Sequence, residues 1–561
     1  MQETCIIISN GDLRIPANQG TWPTQLKAEE AIINAVASLG FAVKKGHPVD
    51  PVEGHGFIKS QKHGLEVFRD IPRDAPLIVV ETVWQYSHHI LPGLYSHQGP
   101  ILTVANWSGE WPGLVGLLNL NASLTKLGVP YSTLWSRDFT DQWFLARLEQ
   151  WLNGQPIRHD ASHVQRLSDF ALNENDEMLA NKVASELLQN HAILGVFDEG
   201  CMGMYNAIIP DNLLFPIGIS KERLSQSALY YAMTQINDCE ARQVRQWLDR
   251  KGVQFRVGSD GLKDLTDDQV LQQCKMYIAA LRIADEFGCD AIGIQYQQGL
   301  KDLVPASDLV EGLLNNCDRP PVQSLQDGRV LYEGKALPHF NEVDECGGVD
   351  ALLTNRIWTE LGFDPETTLH DIRYGENFEV DGKEEFVWTF EISGAVPPEH
   401  LIGGYRGATC VRQPSMTFRL GGATIKGICK PGEVVWSRIF VEDNSLKADL
   451  GRARAVELPQ EESERRWQMT NWEWPMMHAV LNGISRDQMM ARHKSNHIQV
   501  AYAPDAESAN RALAVKAAAF AYLGIDVSIC GTRHGLQKRT PADVGAETAG
   551  SAAGGELNHE S

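Results

Sequence analysis

Short apolar runs alternate with amphipathic stretches through the N-terminal half of the chain. Residues 5–9 form a β-like run; a Gly/Pro-rich loop then leads to 27–39, where Ala31, Ile32, Ala35 and Val36 share one helical face. Runs at 76–80 and 101–104 predict further strands, and 114–127 predicts a helix stopped by Gly128. A polar stretch at 173–177 then opens a second unit. It holds a helix over 177–190, a run at 192–196, a loop from Asp198 to Met204, helices over 225–248 and 267–287 around a short strand near 253–257, and a strand at 290–294. Such alternation predicts parallel sheets covered by helices. A helix over 349–361 ends the pattern. Beyond about residue 355, β-like runs at 385–392, 415–420, 423–429 and 434–441, separated by Gly and Pro, predict an antiparallel barrel or sandwich. An α/β segment returns at 506–530. The expected architecture is two Rossmann-like, doubly wound α/β domains (1–160 and 161–355), a β-rich, antiparallel barrel-like domain (356–531), and a disordered tail rich in Gly, Ala, Ser and Glu (532–561).

Charge narrows the partners. Among 561 residues, 72 acidic against 50 basic side chains leave a net charge of −22. That field repels phosphate backbones and anionic lipid, so nucleic acid is not expected as a partner. No apolar run is long enough to span a bilayer, and the first residues lack the basic flank and cleavage site of a secretory signal, so no membrane association and a cytoplasmic address are expected. Ten cysteines occur singly with no CxxC pair, the usage of reduced, mostly buried thiols.

Chemistry-bearing residues gather in a few places. The densest is Asn341-Glu-Val-Asp-Glu-Cys-Gly-Gly-Val-Asp350, just ahead of a helix. Acids there serve either as caps or, with Glu342 and Asp344 flanking a turn, as hard oxygen ligands for a divalent metal. Asp371 follows in Leu369-His-Asp-Ile-Arg-Tyr-Gly375, at the seam where the β-rich region begins. His478 closes the aromatic and thioether-rich stretch Trp472-Glu-Trp-Pro-Met-Met-His478. Taken alone, it is either a satisfied core histidine or a ligand; with two carboxylates it makes an O/O/N set suited to Mn²⁺ or Mg²⁺. The loop Ala105-Asn-Trp-Ser-Gly-Glu-Trp-Pro-Gly113 carries two indoles, Trp107 and Trp111, either for packing or as an aromatic wall for a sugar or similar ligand. The run Gln295-Tyr-Gln-Gln298, following the strand at 290–294, either supplies amide hydrogen bonds to hydroxyls or simply ends that strand. Dinucleotide, Walker, GxSxG and HExxH signatures are absent from the sequence.

At these positions the chain resembles the L-fucose isomerase family, with L-arabinose isomerases as more distant relatives. The family's order, two α/β domains and then a β-rich one, is similar over about residues 1–530. Its metal-binding glutamate turn resembles the segment at Glu342, its aspartate segment resembles that at Asp371, and its late metal histidine resembles Met477-His478-Ala-Val-Leu-Asn482. Gln295 is similar to a substrate-binding glutamine, and the loop at Trp107 to an aromatic loop that reaches a neighbouring subunit's site. The chain departs from the family pattern after Gln295, at Trp474, where an asparagine is expected, and by an insertion over 319–338. The resemblance implies a metal-dependent aldose–ketose isomerase that acts on an open-chain sugar through an enediolate. Glu342, Asp371 and His478 would hold a divalent metal, Mn²⁺ first, with Glu342 and Asp371 moving the proton. It further implies a small-molecule carbohydrate partner and a homo-oligomer, a hexamer by likeness. The alternatives are a metal-dependent lyase or epimerase acting on a sugar acid or modified sugar, and a non-catalytic sugar-binding protein of the same fold.

Overall fold

The computed structural model describes residues 4–111, 113–394, 396–532 and 537–538. Five parallel strands, β1 (Cys5–Ile8), β2 (Val43–Lys45), β3 (Leu77–Glu81), β4 (Ile101–Asn106) and β5 (Ser132–Ser136), form the N-terminal sheet in the order β2-β1-β3-β4-β5. Alternate residues of each strand face opposite sides. Cys5 and Ile7 join Ile32, Val36 and Leu148 in one core, while Ile6 and Ile8 join Val67, Leu94 and Leu120 in another, so helices cover both faces. The first helix, Ile15–Ser38, begins well before the expected 27–39 and runs through Pro23. Burial of Ala17, Thr21 and Trp22 offsets the hydrogen bond that this proline removes.

After β6 (Val164–Arg166) and β7 (Phe170–Ala171), the middle region holds only three parallel strands in one sheet, β8 (Ala192–Phe197), β9 (Ile219–Leu224) and β11 (Ala291–Ile294), in the order β11-β8-β9. The helix expected over 225–248 is two helices, Gln226–Gln235 and Asp238–Lys251, because the Asn237 side chain caps the second by accepting from the Glu240 N–H. The two-residue strand β10 (Gln254–Phe255) pairs outside that sheet.

Beyond it lie β12 (Thr368–Val380), β13 (Lys383–Glu391), β14 (Thr409–Arg412), β15 (Ala423–Lys426), β16 (Gly432–Glu442), β17 (Ser445–Ala455), β18 (Met476–Leu481), β19 (His497–Ala503) and β20 (Asp526–Cys530). Six of these close an antiparallel barrel in the order β16-β19-β12-β13-β18-β17, with β17 returning to β16. Closure leaves no free edge among the six strands. Two hairpins of this barrel turn on pairs with positive φ, Asp381-Gly382 and Asp443-Asn444, the backbone a two-residue antiparallel turn requires. The run at 415–420 is a turn rather than a strand, since the Pro414 carbonyl accepts from the Thr417 and Phe418 N–H groups.

β10 pairs with β14 and β6 with β20, so the middle and barrel regions are stitched together by main-chain bonds. The described cysteines are free thiols, most of them buried. Among the described residues, no helix is long and apolar enough to cross a membrane. The tail expected over 532–561 lies outside the described residues except for Thr532 and the pair Gln537–Lys538, which is strand-paired to β7.

Candidate functional site

In the N-terminal sheet the strand order reverses between β1 and β3, and a crevice forms outside the carboxyl ends of strands at such a switch point. Here the crevice meets the barrel. Asp12 and Arg14 follow β1, Trp84 follows β3, Trp111 follows β4, and all four line a cavity of about 110 Å³ whose other wall carries Glu342, Asp371 and Arg373.

Barrel register explains part of this grouping. Asp371 on β12 lies directly opposite His497 on β19 and opposite Glu391 on β13. Directly paired residues of antiparallel strands point to the same face, about 5 Å apart at Cβ. His497 and Asp371 therefore meet as neighbours in one cross-strand row. Glu342 arrives separately, on the single turn Asn341–Val343 between β11 and the helix Glu345–Leu361. That turn has φ of 56° at Glu342 and 57° at Val343, a left-handed conformation costly for a β-branched residue. The fully buried Val343 side chain holds the turn down, and the kink aims Glu342 at the barrel row.

The resulting centre is a carboxylate pair around one imidazole. His497 Nε2 lies 3.7 Å from Glu342 Oε2 and 3.5 Å from Asp371 Oδ1, is buried, and has no hydrogen-bond partner. Its other nitrogen, Nδ1, donates to Asp344 Oδ2 at 2.7 Å. This fixes the tautomer and turns Nε2 toward the two acids. Asp344 is itself held by Arg438, contacting NH1 and lying 3.1 Å from NH2, and it caps the helix by accepting from the Gly347 N–H. Of the two acids flanking the turn, Asp344 is thus the cap and Glu342 the one presented to the cavity. Asn496 Nδ2 donates to Asp371 Oδ1 at 3.1 Å, and Gln297 Nε2 donates to Glu342 Oε1 at 3.4 Å.

The electrostatics of the centre favour positive charge. Burial raises Glu342 from its ordinary 4.5 to about 7 against the pull of His497, with Asp371 pushing further upward. Burial likewise raises Asp371. For His497 burial works downward, yet the hydrogen bond to Asp344 and the charges of Asp371 and Glu342 carry it above its ordinary value. A divalent cation would meet the same field. An orphaned, buried imidazole nitrogen facing two carboxylate oxygens, with its second nitrogen tied to a carboxylate, is the donor arrangement of a metal-bound histidine, and the residues present fit such an ion.

The expected site residues fall in different places. Glu342 and Asp371 come together; His478 does not join them. It sits on β18, two strands from Asp371, paired with Thr389, with Nε2 3.1 Å from Ser463 Oγ. The helix Gln460–Met469 carries that serine and covers the imidazole, and burial lowers it to about 3, the state of a neutral core histidine. Trp107 does not line the cavity either. Its indole donates to the Gly375 carbonyl at 3.0 Å, and its ring packs among Tyr374, Phe386 and Trp388, docking the N-terminal sheet on the barrel. From the same loop it is Trp111 that lines the cavity. Gln295 is fully buried and its Oε1 accepts from the Gln297 N–H, leaving Gln297 to face Glu342.

Sequence reasoning missed His497, Asp12, Arg14 and Asn471, while Gln297 lies in the run 295–298 that it singled out. Asp12 and Arg14 had a signal, a charged pair just past the first strand where α/β crevices form; His497 at the head of an apolar alternating run had a weaker one. No family model matches the chain, and no curated protein matches it.

Proposed function

We propose that this chain is a metal-dependent aldose–ketose isomerase resembling the L-fucose isomerases, with Glu342, Asp371 and His497 as the ligand set. The observation that carries the reading is the buried His497 Nε2, which makes no hydrogen bond and is held facing Glu342 and Asp371 by the Asp344–Arg438 pair. When bound, a divalent cation such as Mn²⁺ would supply Lewis-acid polarisation of two adjacent sugar oxygens and offset the charge of an enediolate.

The chain's own residues supply the rest. Glu342 turns Oε2 toward His497 and Oε1 toward Gln297, so Oε1 is the oxygen that takes the C2 proton of an open-chain aldose and returns it at C1, while the O2 hydroxyl proton passes to O1. Asp371 Oδ1, oriented by Asn496, completes the carboxylate pair. Trp84, Trp111 and Trp474 form an apolar wall, while Arg373, Asn471 and Gln297 offer donors for sugar hydroxyls. Arg373 is itself held by the Gly109 carbonyl and Asn471, which fixes its place on the wall. On this reading the N-terminal sheet is a Rossmann-like layer and the protein acts on a small-molecule carbohydrate in the cytoplasm, as a homo-oligomer.

The test is a panel of pentoses, hexoses, deoxyaldoses and sugar acids incubated with stripped and Mn²⁺-loaded protein, with products separated by chromatography. Ketose formed from an aldose only in the loaded protein, and lost in Glu342→Gln, supports the isomerase. Dehydrated or epimerised product from a sugar acid would move the assignment to a lyase or epimerase. Metal retained without turnover of any substrate would make it a binding protein.

A further inference from the structure

A second group of metal-ligating side chains lies at the entry of the barrel strand that carries Asp371, on the opposite face of the sheet. Asp364 and Glu366 occupy the loop entering β12, and His400 ends the short turn Pro398–His400. One oxygen from each acid and one nitrogen of the histidine lie within 4.8 Å of one another. Thr368, which faces this group, is three residues before Asp371, so the strand's alternation puts the two clusters on opposite faces of the sheet.

Hydrogen bonding leaves this group half satisfied. Glu366 Oε1 accepts from the Cys317 N–H at 2.6 Å, but Oε2 has no partner although the residue is 2% exposed. His400 is fully buried. Its Nδ1 is 2.8 Å from the Thr368 hydroxyl, and its Nε2 has no partner. A proton shared between Asp364 and Glu366 would ease the acids and do nothing for the imidazole. Lys430, whose charge reaches this group, is ion-paired with Glu399 at 3.8 Å.

We propose that Asp364, Glu366 and His400 bind a second divalent transition cation, independent of the Glu342 centre, which clamps the loop entering β12 to the turn at His400. One imidazole and two carboxylates select Zn²⁺, Co²⁺ or Mn²⁺ over Mg²⁺ or Ca²⁺. The Thr368 hydroxyl on Nδ1 plays the part of the outer partner that orients a metal-bound histidine. Closing the ligand atoms onto an ion at about 2 Å requires only that the two loops draw together slightly.

The experiment uses the full chain and Co²⁺, whose visible absorption reports coordination. Stripped protein is dialysed against Co²⁺, and bound metal is counted by atomic emission in the wild type, in Asp371→Asn, and in Glu366→Gln/His400→Gln. The expected result is that the double variant loses one Co²⁺ per chain and the absorption band that Asp371→Asn retains. A double variant that folds, by near-ultraviolet dichroism, and keeps the wild-type count and spectrum overturns the proposal, whatever happens at Asp371. Should the double variant not fold, an anomalous map of Co²⁺-loaded wild-type crystals decides. A peak among the three side chains supports the site, and its absence there overturns it.

Discussion

Replacing Asp344 by asparagine separates the two jobs this carboxylate performs. The substitution is nearly isosteric, and the asparagine oxygen still accepts from the Gly347 N–H, so the helix cap survives. What disappears is a buried negative charge that holds Arg438, 1% exposed, and accepts the Nδ1 proton of His497. An Arg438 left buried without its partner costs about 3–5 kcal/mol of stability. A metal histidine without its outer carboxylate loses about 10- to 100-fold in metal affinity. The two effects part in the double variant Asp344→Asn/Arg438→Met, which removes both buried charges. Urea midpoints of the stripped protein recover most of the lost stability in that variant, whereas Mn²⁺ affinity, measured by competition with a chelator, stays low because His497 still lacks its carboxylate. Wild-type Mn²⁺ affinity in folded Asp344→Asn, or recovery of affinity together with stability in the double variant, would refute the reasoning.

Three further outcomes follow from buried contacts. Burial holds His478 at about 3 against its ordinary 6.5, so between those values the unfolded chain takes up a proton that the folded chain refuses. This contribution is intact above pH 6.5 and is lost as pH falls, by up to about 1.4 kcal/mol per unit. His478→Gln therefore flattens the acid limb of a stability–pH curve, and an unchanged limb contradicts the assignment. Lys516 lies 2.8 Å from Asp350 Oδ1 and is also bonded to Thr354 and Ser437 inside the helix–barrel seam. Lys516→Met should lower stability by about 3–5 kcal/mol by stranding Asp350, with Lys516→Met/Asp350→Leu restoring much of it in the same urea titration. Trp107→Phe removes the indole bond to Gly375, costs about 1 kcal/mol, and leaves KM for any substrate unchanged, whereas Trp111→Ala raises KM; the reverse pattern would return Trp107 to the sugar wall.

The parallel N-terminal sheet was legible because β3 and β4 are apolar on both faces and give uninterrupted runs. The barrel was only half legible. β16 was read at 434–441 in spite of Arg438, but its partner β17 buries Asp449 and Arg452 within the cross-strand ladder, and these charges break the apolar periodicity that marks a strand. Asp381-Gly382 and Asp443-Asn444, the turns that fold those strands back, were signals available to a residue-by-residue reading. At the site, Glu342 could be singled out because its turn is dense in acids just ahead of a helix, but which acid caps and which points outward depends on two left-handed backbone residues that composition does not reveal. The histidine singled out in the sequence, His478, lies two barrel strands from Asp371 for a related reason. His478 sits among tryptophans and methionines that look like a pocket wall, while what selects His497 is its register opposite Asp371, a long-range pairing with no local signature.

In the proposed divalent-cation centre His497, and not His478, stands beside Glu342 and Asp371. The most direct measurement is the number of tightly bound Mn²⁺ ions per chain, by electron paramagnetic resonance titration, in the wild type, His497→Gln and His478→Gln. The account expects His497→Gln to lose one ion and His478→Gln to keep the wild-type number. A loss confined to His478→Gln, or no loss in folded His497→Gln, would contradict it.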